Sequence, residues 1–187
     1  MTYIFEGQRV RLRAVEPSDW QTHYQWNFDS EAARASYEIS FPASKPQVES
    51  WAQAEATNEP KNDRFRFQIE NLDGELVGTI NSHNCDLRNG TFRYGLAVLP
   101  DYQRRGYATE AILLLLRYYF QERRYHKVNV EVYGFNQPSI ALHERLGFTL
   151  EGRLRQVVYS DGVYHDSLQF GMTRDEFLAQ HGAYFKS

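Results

Sequence analysis

The residues best suited to chemistry in this chain are Gln103-Arg104-Arg105-Gly106-Tyr107-Ala108. Before them runs a short apolar segment, residues 94–99, closed by Pro100-Asp101. From Thr109 onward Ala111, Ile112, Leu114, Leu115, Tyr118 and Tyr119 recur at helical spacing. A strand that feeds a helix through a turn of small residues aims the first free backbone N–H groups of that helix at one point. Those donors and the positive end of the helix dipole make an anion site. Gly106 permits a left-handed turn or a close approach, Ala108 leaves room beside it, and Arg104 and Arg105 add charge. Such a turn suits a pyrophosphate, although a solvated basic turn has the same residues. Neither the Gly-Lys-Ser/Thr of a nucleoside-triphosphate loop nor the Gly-x-Gly-x-x-Gly of a dinucleotide fold is present. A second group follows Pro138, where Ser139 and His143 lie four apart and so share one helical face.

The elements that must position these groups are legible in order. Residues 9–14 alternate charged and apolar side chains, as a strand does. Pro17-Ser18-Asp19 opens a helix carrying Trp20, Tyr24 and Trp26, with Ser18 or Asp19 expected as its cap. Residues 27–43 show no regular pattern, and a second helix starts at Pro46, with Trp51 on its apolar face. Residues 65–70 and 75–81 read as strands joined across Asp73-Gly74. Arg88-Asn89-Gly90 is a second such turn, leading into residues 91–99. After the long helix, residues 128–133 alternate as a strand, and a brief helix runs from Pro138 to a left-handed cap at Gly147. Residues 148–155 and 163–170 form a last hairpin turning at Ser160-Asp161-Gly162, and a capping helix follows Thr173.

Composition bounds the function. The 187 residues suffice for one well-buried domain, residues 1–187, and are few for two. With 21 Lys and Arg against 24 Asp and Glu, the net charge of -3 asks for neither nucleic acid nor an anionic membrane. Cys85 is the single cysteine, which excludes an intramolecular disulfide and a cysteine metal cluster and fits a reducing cytoplasm. Residues 1–9 have no apolar core of signal-peptide length, and the apolar run 111–116 is too short to span a bilayer. No metal is expected.

Gln-x-x-Gly-x-Ala after Val-Leu-Pro and before a long helix resembles the acyl-CoA-binding motif of the GNAT superfamily of N-acetyltransferases. Asn136-Gln137-Pro138-Ser139, Leu146-Gly147-Phe148 and Glu151-Gly152 extend the likeness to the branch of ribosomal-protein N-terminal acetyltransferases and their small-molecule relatives. The resemblance implies an α/β fold with a mixed, mostly antiparallel sheet of six to seven strands flanked by helices. Its central strands would splay to hold acetyl-CoA. Backbone of Leu96, Ala97 and Val98 would pair with the pantetheine arm, with an oxyanion donor near Val98. Residues Gln103 to Thr109, that is Gln103, Arg104, Arg105, Gly106, Tyr107, Ala108 and Thr109, would cradle the pyrophosphate. Asn136, also a good helix cap, would meet the pantetheine amide.

For catalysis the resemblance implies Ser139 beside the thioester as proton source for the leaving thiolate. His143 stands where many members carry a tyrosine, and an imidazole there can accept or donate a proton near neutrality. It also suits packing within a helix. Glu131 matches the catalytic glutamate of one subfamily, whereas another places its glutamate at the position of Val158. The early helices would wall the acceptor groove, so Trp20, Tyr24, Trp26, Tyr37 and Trp51 read either as core-edge packing or as an amine-binding surface. Asp29, Glu31 and Glu38 would recruit the amine or simply be solvated.

The implied activity is acetyl transfer from acetyl-CoA to a primary amine. A peptide N-terminus and a small amine such as a polyamine or aminoglycoside both fit, and a non-catalytic acyl-CoA sensor is the reading from another class. A homodimer through a sheet edge or the C-terminal hairpin is compatible with the pattern.

Overall fold

The computed structural model describes residues 3–36 and 39–185, so Tyr37 and Glu38 lie outside the described residues. Seven strands form one mixed sheet of order β1-β2-β3-β4-β5-β7-β6: β1 (Val10–Arg13), β2 (Arg66–Asn71), β3 (Leu76–Asp86), β4 (Thr91–Val98), β5 (Lys127–Tyr133), β6 (Thr149–Ser160) and β7 (Val163–Thr173). The helices are α1 (Trp20–Trp26), α2 (Ser30–Ser36), α3 (Lys45–Ala56), α4 (Tyr107–Arg117), α5 (Gln137–Arg145) and α6 (Arg174–His181). This is the α/β class that the sequence implies. None of the described helices is long and apolar enough to cross a membrane.

Contacts divide the chain into two compact units, Met1–Ser82 with Gly95–Leu114, and His83–Tyr94 with Leu115–Ser187. In the first, β1 and β2 pair antiparallel from Val10 opposite Asn71 to Arg13 opposite Gln68, and β2 pairs antiparallel with β3. One face buries Val10, Leu12, Phe67, Ile69 and Ile80, the alternation expected of strands. The β2–β3 turn is held by Asn71, whose side-chain oxygen accepts the Glu75 N–H at 2.8 Å, with Gly74 in the left-handed conformation at φ 85°. Helix α3 begins where Ser44 accepts the Gln47 N–H and Pro46 occupies the first turn.

Two local expectations for this unit need correction. Asp19 stands at the N-cap position of α1, but its side chain makes no capping bond to that helix. It closes a single 3-10 turn, Pro17–Asp19, and its carboxylate accepts the Glu16 N–H at 2.8 Å. Residues 27–43 also contain a helix, α2, whose start is fixed by Asp29 accepting the Ala32 N–H at 2.9 Å. Asp29 thus has a local structural role, Glu31 is exposed, and Trp20, Tyr24, Trp26 and Trp51 are half-buried.

In the second unit, β4 and β5 run parallel over three residue pairs, Thr91–Lys127 to Arg93–Asn129. Strand β5 continues antiparallel to β7, which pairs with β6. Phe92 stacks on Tyr119 at 4.5 Å between centroids and meets Tyr125 edge-on at 5.3 Å, and all three rings are fully buried. The helical run that begins as α4 ends in a π-helical turn, Tyr118–Glu122. Asp161 and Gly162, at φ 52° and 79°, make the β6–β7 turn.

Candidate active site

In the first unit the turn before α4 has the form an anion site requires. A 3-10 turn, Pro100–Tyr102, leads into it. Arg104 and Gly106 take left-handed conformations at φ 61° and 84°. The first intrahelical bond of α4 runs from the Glu110 N–H to the Gly106 carbonyl at 3.1 Å. Consequently the N–H groups of Tyr107, Ala108 and Thr109 have no intrahelical acceptor and face outward with the helix dipole. Gln103, Arg104, Arg105 and Gly106 are exposed. Gln103 turns back, its amide donating to the Val98 carbonyl at 3.2 Å, so it braces the turn. Arg105 donates to the Asp101 carbonyl at 2.8 Å and lies over the Tyr102 ring.

What sequence reading missed here is Glu110. Its carboxylate is 2% exposed and accepts three backbone N–H groups, from Gln8, Arg9 and Val10, at 2.8, 2.7 and 2.8 Å. A buried carboxylate needs such partners. Gly7 permits the approach, because a Cβ there would stand 2.4 Å from the Glu110 carboxyl carbon.

A second polar cluster lies on the other face of β1 and β2. Arg13 grips Asp19 with two bonds, at 2.8 and 2.9 Å, and both Arg11 and Arg13 bond Glu70. Burial alone would raise the carboxyl groups of Asp19 and Glu70, but the arginine hydrogen bonds and charges outweigh it and hold both low. The Gln68 amide donates to His23 Nε2 at 2.7 Å, and Trp51 meets the His23 ring edge-on at 4.6 Å. Burial, opposed in part by the Asp19 charge, pushes His23 down to about 4. That ring is neutral at physiological pH.

In the second unit Asn136 caps α5 as expected, its side-chain oxygen accepting the Ser139 N–H at 3.1 Å. Ser139 sits half-buried in the first turn. His143, 3% exposed, lies within 2.7 Å of the Ser139 carbonyl through Nδ1 and within 2.8 Å of the Tyr94 hydroxyl through Nε2. A carbonyl only accepts, so Nδ1 carries the proton and Nε2 accepts from Tyr94. The ring also stacks on Phe170 and meets Phe148 edge-on. Burial pushes His143 below the ordinary histidine value, opposed by its bond to Ser139, and pushes the Tyr94 phenol well up. The imidazolium expected as a donor near neutrality is therefore disfavoured, because among the described residues the ring has no carboxylate partner to offset burial. Sequence offered no signal for Tyr94, which reads as one more apolar strand residue.

Glu131 occupies the opposite face. Val128, Val130 and Val132 are buried while Glu131 is exposed. Phe170, under His143, pairs directly with Val130 and shares its face. The sheet thus separates Glu131 from Ser139 and His143, and the three residues expected to act together are not brought together. Instead Glu131 accepts from the Ser167 hydroxyl at 2.5 Å and lies 3.8 Å from Arg93. Val158 pairs with His165 in the last hairpin. Among the described residues no group of three His, Cys, Asp or Glu side chains is placed to hold a metal ion.

The family model described as Acetyltransferase (GNAT) domain matches residues 9–149, and the chain belongs to this acetyltransferase family. It is 42% identical over 182 residues to the SPbeta prophage-derived uncharacterized N-acetyltransferase YokL of Bacillus subtilis (strain 168), covering 97% of this chain and 99% of that protein. It is 26% identical over 172 residues to the spermidine N(1)-acetyltransferase of Escherichia coli (strain K12), covering 92% and 90%. Among solved structures, the spermidine N-acetyltransferase of Vibrio cholerae in complex with CoA and spermine superposes with a TM-score of 0.77 at 23% identity, over 90% of this chain and 98% of that one. That last likeness establishes the fold.

Proposed function

We propose that the whole chain, residues 1–187, is one acyltransferase domain that moves the acetyl group of acetyl-CoA to a primary amine by direct attack. The observation that carries this reading is the turn from Gln103 to Thr109, with free N–H groups, two left-handed residues and exposed guanidinium groups where a diphosphate would bind. In this reading Arg104, Arg105, Gly106, Tyr107, Ala108 and Thr109 hold the diphosphate and Gln103 braces their turn. Backbone of Leu96, Ala97 and Val98 pairs with the pantetheine arm, and Asn136 meets its amide. The amine nitrogen attacks the thioester carbonyl carbon, the carbon–sulfur bond breaks, and the thiolate takes the hydroxyl proton of Ser139, which solvent restores. His143 acts as a positioning residue that fixes Tyr94 and α5. The proton lost by the amine passes to water, since Glu131 lies across the sheet from Ser139 and His143.

Acceptor basicity sets how much work that last step requires. An α-amino group has a pKa of about 7.7–8.0 against about 10.4 for lysine, a difference of roughly 3.5 kcal/mol in deprotonation near neutrality. A peptide N-terminus can therefore lose its proton to water alone. Likeness to spermidine acetyltransferases over nine-tenths of the chain supports a small polyamine as the second acceptor class. Exposed Leu150, Leu154, Val157, Tyr159, Val163 and Tyr164 on the last hairpin support a homodimer, and the single cysteine supports a cytoplasmic setting.

The test is thiol release from acetyl-CoA against peptides of varied N-termini, spermidine, lysine and an aminoglycoside. Release that depends on one acceptor is expected. Tight acetyl-CoA binding without release on any of them would favour a sensor.

A further inference from the structure

The strand-forming segment at the start of the chain carries three arginines at alternate positions, and they have different fates. Arg11 pairs with Glu6 and Glu70, and Arg13 pairs with Asp19 and Glu70. Arg9 is exposed, and among the described residues its guanidinium has no acidic partner. Its backbone, by contrast, is fixed. The buried Glu110 carboxylate holds the N–H groups of residues 8, 9 and 10, and Gly7 is what lets the chain come that close. The side chain then runs along Gly106, with Cδ, Nε and Cζ at 3.4, 3.5 and 3.9 Å from the point where a Cβ on Gly106 would stand.

A buried carboxylate, a glycine and three charge-assisted bonds thus serve to set one unpaired guanidinium beside the left-handed glycine of the turn. We propose that Arg9 is a further donor-binding residue, pairing with the diphosphate of the acyl donor from outside the contiguous motif. This inference rests on the placement of the diphosphate at residues 103–109. A guanidinium meets phosphate oxygens with two parallel N–H bonds, which a helix N-terminus alone cannot offer. It also opposes the repulsion that the Glu110 carboxylate, in the first turn of the same helix, exerts on an incoming anion.

The experiment is titration calorimetry of the full chain with CoA, dephospho-CoA and pantetheine, for wild type, Arg9→Ala and Arg9→Lys. Arg9→Ala should weaken CoA and dephospho-CoA alike, by about ten- to a hundredfold, the range for a hydrogen-bonded charged pair. Pantetheine should bind all three proteins equally, and Arg9→Lys should recover part of the loss. Thermal stability should hold, since Glu110 bonds the backbone of residue 9 and not its side chain.

Equal CoA affinity in Arg9→Ala and wild type overturns the proposal while leaving the diphosphate turn in place. An equal loss for pantetheine overturns it by showing a general structural effect. A loss for CoA but not for dephospho-CoA overturns the assignment to the diphosphate. Failure of wild type to bind CoA at all overturns both this inference and the reading beneath it.

Discussion

The turn before α4 and the start of α5 are built on opposite physical plans. The first is exposed and charged, with its backbone donors unused. The second is packed and neutral, with Asn136, Ser139, His143 and Tyr94 bonded to one another and rings on two sides of the imidazole. An anion is recognised by groups left unsatisfied until it arrives. A reacting bond needs groups whose orientation is settled beforehand. Substitutions in the first region should change affinity, and those in the second should change turnover or stability.

The largest effect expected is that of Gly106→Glu. A like charge against phosphate costs several kcal/mol, so acetyl-CoA affinity should fall by about a thousandfold, while circular dichroism stays that of the wild type. Undiminished binding in calorimetry would remove the anion site from the comparison.

Acid should next lower stability through a third region, the polar cluster beside β1 and β2, and through His143 in the packed one. His23 has a folded value of about 4 against an ordinary 6.5, so the unfolded chain binds more protons between those values. Stability is then full above pH 6.5 and falls as the pH drops towards 4, by about 3 kcal/mol. His143, also lowered, adds in the same direction. Below that, Asp19 and Glu70, held low by their arginines, lose their contribution as they take up protons. Denaturant melts of His23→Gln should show a flatter slope between pH 6.5 and 4. An unchanged slope would transfer the effect to His143.

Ser139→Ala should lower kcat by about a hundredfold, the lower end for a positioned proton donor, with little change in the KM for acetyl-CoA. A rise in KM with kcat preserved would move Ser139 from the reacting group to the binding surface. The smallest effect is that of Tyr94→Phe. It removes the hydroxyl that His143 accepts and should cost about 1 kcal/mol of stability, with acetyl-CoA affinity unchanged in calorimetry.

Much of this molecule is written locally. The Asp73-Gly74 and Asp161-Gly162 turns, the Ser44 and Asn136 caps, the left-handed Gly106 and Gly147 and the class of fold follow from residues within a few positions of one another. Propensity and hydrogen bonding at i to i+4 decide such features, and the family motif is itself a local pattern. Helix α2 was missed because its apolar residues are alanines, too small to mark a face, and its cap Asp29 reads equally as a surface charge.

Tertiary structure alone decided who faces whom. Glu110 holds backbone 102 residues distant at Gln8, Tyr94 meets a histidine 49 residues distant, and strand pairing turns Glu131 away from Ser139. Sequence fixes which side chains alternate along a strand, but not which face a later helix will cover. That choice belongs to packing, where burial of Val128, Val130 and Val132 against the core leaves their neighbour Glu131 on the other side.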